Sequence, residues 1–374
     1  MPLTAFQKTT GDELDVSQLL RRFALEGADG QDSSSDQIPE SWRTAIREEM
    51  ECPSCFILGA ELVREGYSSQ GKKKVVRQAC FRFPAHHPQC DFSRSDVAGA
   101  AVPDNLVNFG SEKTGLTRLI AQLVGAGIEG EHFNQRTIRD MRRWFFDQKT
   151  QSTFKVQLDP RLPVFLKNLV RFTGGYYSAS PVQISAEIVS LPGFDWSEAA
   201  RAELKARNAI YLDAMHSARM HLWSTGDSIS HLCSRHMGEI AFDPSPLHDH
   251  YTKTISLADF ISMHYAPMRR YRTAGSHKSH VPASLAFCAL LLYVEEWNLD
   301  RAAGLFARIA ARATQASGDL GNVMGLNPWH SFEAWRDLRA LQNLGLQLPQ
   351  DLKDPQKELK EIEDSLKAQY ARDP

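Results

Sequence analysis

The apolar positions change period along the chain, and each change marks a segment. Residues 1–44 hold one short amphipathic stretch, Val16 to Leu25, and then GADGQDSSSDQIPES, whose Gly, Ser and Asp content buries too little apolar area to fix a backbone. The expectation there is a flexible arm and linker. From Trp42 to about Gly99 short strand-like pieces alternate with Cys, Gly and Pro, and VVRQACFRF alternates partly with period two, so residues 45–100 read as a small β-rich, zinc-ribbon-like module. Between Glu112 and Leu158 the spacing predicts two helices and a strand. The first helix, in EKTGLTRLIAQLV, carries the stripe Leu116, Leu119, Ile120 and Leu123. The second, in NQRTIRDMRRWFFDQK, carries Ile138, Met141 and Phe145 with Asn134 as its cap, and TFKVQL follows as a strand. VQISAEIV, between Pro181 and Pro192, alternates as a further strand. Residues 105–195 are therefore expected to form a helix-turn-helix-like segment with a short β portion.

From Trp196 the chain reads as helical, starting with the long Ala-rich run SEAARAELKARNAIYLDAMHSARMHLW. Further helices are expected at about 255–266, 283–297 and 299–316, with Asn298 or Asp300 as a cap and Gly318 as a stop. ASLAFCALLLYV is apolar on every side and predicts a central helix. The helical domain covers 196–348. A charged helix at about 355–370, within 349–374, has Glu and Lys at i, i+4 spacing and reads as a solvated tail or a partner helix. The fold class expected is α+β, mainly helical.

Composition narrows the function classes. Forty-three Lys and Arg against 45 Asp and Glu leave a net charge of -2, which excludes a uniformly basic nucleic-acid coat and confines any binding face to a local patch. The longest apolar run, Ala283 to Val294, falls short of the ~17–25 residues of a membrane helix, and the first 30 residues lack a leader pattern. A cytoplasmic protein without a membrane partner is expected. Six cysteines in 374 residues are too few for a disulfide scaffold, and four of them fall between 52 and 90, which points to a metal in a reducing compartment.

ECPSCF and FRFPAHHPQCDF carry that metal signal. Cys52 and Cys55 stand two residues apart, so their thiolates and the turn between them can converge on one ion. Cys90 with His86 or His87 supplies the second pair, and spacing leaves the two histidines open; a set with Cys80 in place of histidine is a further arrangement. Three thiolates and one imidazole make a closed, structural zinc site. These knuckles, joined by a basic hairpin and a Phe-rich strand running into Ala-His and a last Cys, resemble the N-terminal zinc-binding segment of the competence protein CoiA family over about 40 residues. The resemblance implies Cys52, Cys55, His86 and Cys90 as ligands, and a bacterial protein that handles DNA.

Two segments are candidate nucleic-acid surfaces. Lys72, Lys73, Lys74, Arg77 and Arg82 gather on one hairpin, and Arg136, Arg139, Arg142, Arg143 and Lys149 outnumber Asp140 and Asp147 on one helix, where Arg136, Arg139 and Arg143 share a face. Histidines supply the other candidate chemistry, since nine of the 13 lie between His216 and His280. His248, Asp249 and His250 form the most ligand-like stretch, where in a strand the two histidines would point the same way, and Arg272 and His277 have a spacing used in phosphodiester chemistry. His216 and His221, like His231 and His236, are five apart, about 140° around a helix, and do not share a face. No phosphate loop, dinucleotide fingerprint or nucleophile elbow is present. The function expected is a zinc-stabilised bacterial protein that binds DNA or RNA without catalysis. The alternatives are a nuclease of competence or phage defence using the histidine region, and an adaptor that binds a protein partner.

Overall fold

The computed structural model describes residues 1–26, 38–67, 75–93, 115–175, 184–220, 222–269, 282–313 and 327–370. The fold is mainly helical, with small antiparallel sheets. It divides into two compact units, Met1–Gln151 with Pro246–His330, and Ser152–Ser245 with Ser331–Pro374. The single helical domain expected over 196–348 is thus split between units. Its apolar central helix, Pro282–Val294, buries residues all round because it packs against Gly115–Glu129 and Gln135–Gln151 from the first part of the chain, besides His248–His264 and Leu299–Ala310.

In the first unit the expected flexible arm is an ordered hairpin. Thr4–Gln7 pairs antiparallel with Asp12–Asp15, Thr4 opposite Asp15, and Met50–Glu51 adds to the free side of the first strand. Helix Val16–Glu26 follows directly, started by a reciprocal cap: the Gln18 N–H donates to the Asp15 carboxylate (2.7 Å) and the Asp15 N–H to the Gln18 side chain (2.9 Å). Residues 27–37 of the expected linker lie outside the described residues. Glu61–Val63 pairs with Cys80–Arg82, and Gly66–Tyr67 with Val75–Arg77. Ala5, Leu14, Leu19, Ile46, Met50, Phe81, Phe83 and the three cysteines 52, 55 and 90 share one buried cluster. We refer to this part as the head.

Gly115–Glu129 and Gln135–Gln151 are the two helices the spacing predicts. A Cβ on Gly127 would stand 2.2 Å from the Phe133 ring, so the first helix needs glycine there to let the connection fold back. Asn134 caps the second, accepting the Thr137 N–H at 2.8 Å. The strand expected directly after these helices, Thr153–Lys155, belongs to the second unit and pairs with Ile240–Phe242. Asn298 accepts the Arg301 N–H at 3.0 Å and starts Leu299–Ala310.

In the second unit, helices Arg161–Thr173, Trp196–Arg207, Ala209–Ser217, Gly226–His236, Phe332–Asn343 and Pro355–Tyr370 contribute to one apolar core that includes Leu166, Leu204, Leu212, Met215, Leu338 and Leu341. The single long helix expected from Trp196 stops at Asn208, whose backbone and side-chain N–H groups both bond to the Leu204 carbonyl. VQISAEIV, expected as a strand, contains the short helix Ala186–Val189, because the Ser185 hydroxyl caps it by accepting the Ile188 N–H. The charged helix Pro355–Tyr370 is no solvated tail. Leu359, Ile362 and Leu366 form a stripe packed into the core, against Trp196–Arg207 and Arg161–Thr173.

Candidate metal centre

Cys52 leaves the strand Met50–Glu51 and enters a turn closed from both sides. Its N–H donates to the Ile57 carbonyl (2.9 Å) and its carbonyl accepts the Phe56 N–H (3.0 Å). Phe56 reverses the chain in the left-handed region at φ 61°, and Gly59, at φ 94°, then ties the turn to helix Glu40–Glu49 through the Arg47 carbonyl (2.9 Å). The second turn follows the strand Cys80–Arg82; there the Cys90 N–H donates to the His87 carbonyl (2.8 Å) and the Ser93 N–H to that of Cys90 (3.0 Å). Ser54 and Asp91 join the turns. The Ser54 hydroxyl donates to the Asp91 carboxylate (2.8 Å), and the Asp91 N–H returns a bond to the Ser54 oxygen (3.2 Å). Lys149, on helix Gln135–Gln151, donates to the same carboxylate at 3.1 Å.

This scaffold brings Cys52, Cys55, His86 and Cys90 together with their ligand atoms within 4.8 Å of one another. The His86 Nδ1 stands 3.6, 3.5 and 3.3 Å from the sulfurs of Cys52, Cys55 and Cys90, and the Cys52 and Cys90 sulfurs are 3.9 Å apart. A tetrahedral ion at about 2.3 Å from sulfur and about 2.0–2.1 Å from nitrogen requires edges of about 3.8 Å between sulfurs and about 3.6 Å from sulfur to nitrogen. These three sulfur–nitrogen spacings and the Cys52–Cys90 spacing fit such a cage. Without a cation the thiols compete for one proton balance: burial and then hydrogen bonds with Cys55 and Cys90 push Cys52 far up, while hydrogen bonds from Cys52 and Cys90 pull Cys55 far down. A cation that accepts three thiolates removes that conflict.

The alternatives left open by spacing are resolved by position. His87 turns away; its Nδ1 accepts the Gln89 N–H at 3.2 Å and its ring meets Phe146 edge-on at 5.3 Å. Cys80 is buried elsewhere, its sulfur 3.8 Å from that of Met1. The His86 ring lies near Phe83 (5.7 Å) and Phe92 (6.4 Å), and its buried Nε2 has no hydrogen-bond partner among the described residues.

The arginine helix has more structural duties than its sequence predicts. Arg139 donates to Glu51 at 2.9 and 2.5 Å and to Asp140 at 3.0 Å, and its guanidinium covers the rings of Phe6 and Phe56. Arg142 is paired with Glu13, with side chains 4% and 1% exposed. Together with Lys149, three of the five cations thus answer carboxylates. Arg139 is thus held by carboxylates and rings, whereas Arg136 and Arg143 are exposed and in no ion pair among the described residues. Arg82 faces Glu61 at 3.9 Å. Lys72, Lys73 and Lys74 lie outside the described residues, as does the side chain of Arg77.

The histidines do not converge on a second cluster among the described residues. His248, Asp249 and His250 open helix His248–His264, so the shared direction that a strand would give the two histidines does not arise. The first two are exposed; His250 packs between Trp144 (5.1 Å) and Trp297 (4.4 Å), where burial and then Lys253 lower its affinity for a proton. His216 and His231 are exposed on the second unit, His236 binds Glu239 at 3.0 Å, and the His264 Nδ1 lies 2.8 Å from the Phe260 carbonyl. His221, Arg272, His277 and His280 lie outside the described residues.

Sequence reasoning missed Glu13, Glu51 and Phe56. Glu13 is flanked by apolar Leu14 in a strand of only four residues, too short for a period to show. No helix among the described residues is long and apolar enough to cross a membrane. No family model matches the chain, and neither does any curated protein or solved structure.

Proposed function

We propose that Cys52, Cys55, His86 and Cys90 hold one zinc ion as a structural centre, and that the head around it is the nucleic-acid-binding part of a bacterial, cytoplasmic, DNA-associated protein without catalysis of its own. The observation that carries the zinc is the set of four ligand atoms within 4.8 Å. Three sulfurs and one imidazole nitrogen at tetrahedral edges suit zinc among the common divalent ions, and a full set of four protein ligands leaves no position for a reacting water. When bound, the ion supplies cross-linking of two turns that otherwise rely on the Ser54–Asp91 contact. All six cysteines are free thiols, which suits a reducing compartment.

The nucleic-acid part rests on Arg136 and Arg143. They are two turns apart on helix Gln135–Gln151, about 10 Å along its axis, and carry charge that no carboxylate of the described residues answers. The experiment is fluorescence anisotropy of labelled DNA and RNA at two salt concentrations, with wild type and Arg136→Gln/Arg143→Gln. Wild type binds with affinity that falls as salt rises; the double variant binds more weakly, loses about two units of the salt slope, and keeps its zinc. Equal binding by the two proteins, with equal salt dependence, overturns the reading.

A further inference from the structure

The two free arginines do not stand alone on their face. Arg136, Arg139, Arg143 and Phe146 follow one another at three- and four-residue steps, so they lie along one stripe of helix Gln135–Gln151, about 15 Å from end to end. The metal turn lies beside that stripe. The Phe56 ring sits under both Arg139 (5.3 Å) and Arg143 (5.8 Å) and meets the Phe146 ring edge-on at 6.0 Å; Phe146 in turn meets the His87 ring at 5.3 Å. At the other end, Gly11 at φ 80° brings the hairpin backbone against Arg136, where a Cβ would stand 3.2 Å from the guanidinium. The result is a strip in the order Arg136, Arg139, Phe56, Arg143, Phe146, His87, in which the three rings are half-buried and Arg136 and Arg143 are exposed.

Charge and rings here answer different parts of a ligand. The carboxylates nearby are already engaged, Glu51 and Asp140 by Arg139 and Asp91 by Lys149, which leaves Asp147 as the exposed acid of this helix. A duplex offers such a surface only its phosphates, because its bases are stacked on one another. A single strand offers phosphates and open base faces together, and ring faces beside arginines are the arrangement that takes both. We infer that this strip binds single-stranded nucleic acid, with bases stacking on Phe146 and His87, phosphates paired with Arg136 and Arg143, and Phe56 holding the Arg143 guanidinium in place from beneath. The inference rests on the nucleic-acid reading above and adds the strand preference.

The test uses the full chain with single-stranded DNA, single-stranded RNA and duplex DNA of equal length, read by anisotropy and by the fluorescence of 2-aminopurine placed in the single strands. The variants are Phe146→Leu and His87→Ala, each with its zinc content measured; His87→Ala removes an aromatic group that lies outside the buried cluster. Wild type binds single strands more tightly than duplex and quenches 2-aminopurine. Each ring variant that retains zinc lowers single-strand affinity by at least about five-fold, relieves the quenching and leaves the salt slope and duplex binding unchanged. Either single-stranded arm binding more tightly supports the inference, and the difference between them reports whether the 2′-hydroxyl is read. If duplex binds as tightly as single strands, and the ring variants change nothing while Arg136→Gln/Arg143→Gln weakens both, stacking is refuted and the nucleic-acid reading survives. If the arginine variant and salt also have no effect, that reading falls with it.

Discussion

The core of the second unit includes Leu, Phe and Met side chains from many helices, whereas the core of the head counts the thiols of Cys52, Cys55 and Cys90 among its buried groups. The head also buries both side chains of an ion pair, Arg142 with Glu13, where the second unit buries hydrogen bonds such as that from Thr225 to Asp337 at 2.9 Å, the Arg336 that pairs with this Asp337 being 38% exposed. An apolar core spreads its stability over many contacts of similar worth, so removal of any one costs a fraction of the total. A core closed by thiolates and a buried charge pair depends on a few directional contacts, and each is required. The head's short strands, two to four residues each, explain the need: they bury too little apolar surface to hold themselves together.

The largest effect should therefore come from the metal. Chelation, or Cys90→Ser, is expected to unfold the head, since apparent binding energies of structural zinc sites are about 10–16 kcal/mol. Hydrogen exchange on the full chain should show lost protection in residues 1–26, 46–67 and 75–93, with Trp196–Arg207 and Phe332–Asn343 still protected. Equal loss in both units would break the comparison. Next comes Glu13→Gln, which leaves the Arg142 charge buried without its partner and should cost about 3–5 kcal/mol in chemical denaturation. A change below ~1 kcal/mol would mean that the pair is dispensable. Ile362→Ala in the second unit should cost less than a metal ligand, about 2–5 kcal/mol from the cavity, and leave zinc content at the wild-type value. Loss of zinc in that variant would contradict the separate treatment of the two cores.

What the sequence made legible follows the same division. The knuckle spacing named the right cysteines because two-residue gaps carry their own geometry, and the fully apolar run 283–294 announced a central helix because nothing but burial accommodates it. The hairpin of residues 4–15 was hidden because its strands are four residues long and its inward positions include Gln7 and Glu13, polar groups buried only because partners from distant parts of the chain meet them. Helix Pro355–Tyr370 was misjudged for the converse reason: Leu359, Ile362 and Leu366 are spaced correctly, but the charges between them dominate its composition. Arg139 reads as part of a phosphate-binding face, and Arg142 as part of the helix's excess charge, because a helix shows its charge in the sequence and its counter-ions, Glu51 and Glu13, do not. The choice between His86 and His87 needed coordinates, since both spacings are compatible with a zinc knuckle.

The most direct test of the central claim is the zinc content of the purified full chain, measured by elemental analysis for wild type, His86→Ala and His87→Ala. One zinc per chain in wild type and in His87→Ala, with a clear deficit in His86→Ala, is the expected result. No zinc in wild type, or a deficit in His87→Ala with full zinc in His86→Ala, would contradict the assignment of Cys52, Cys55, His86 and Cys90 as the site.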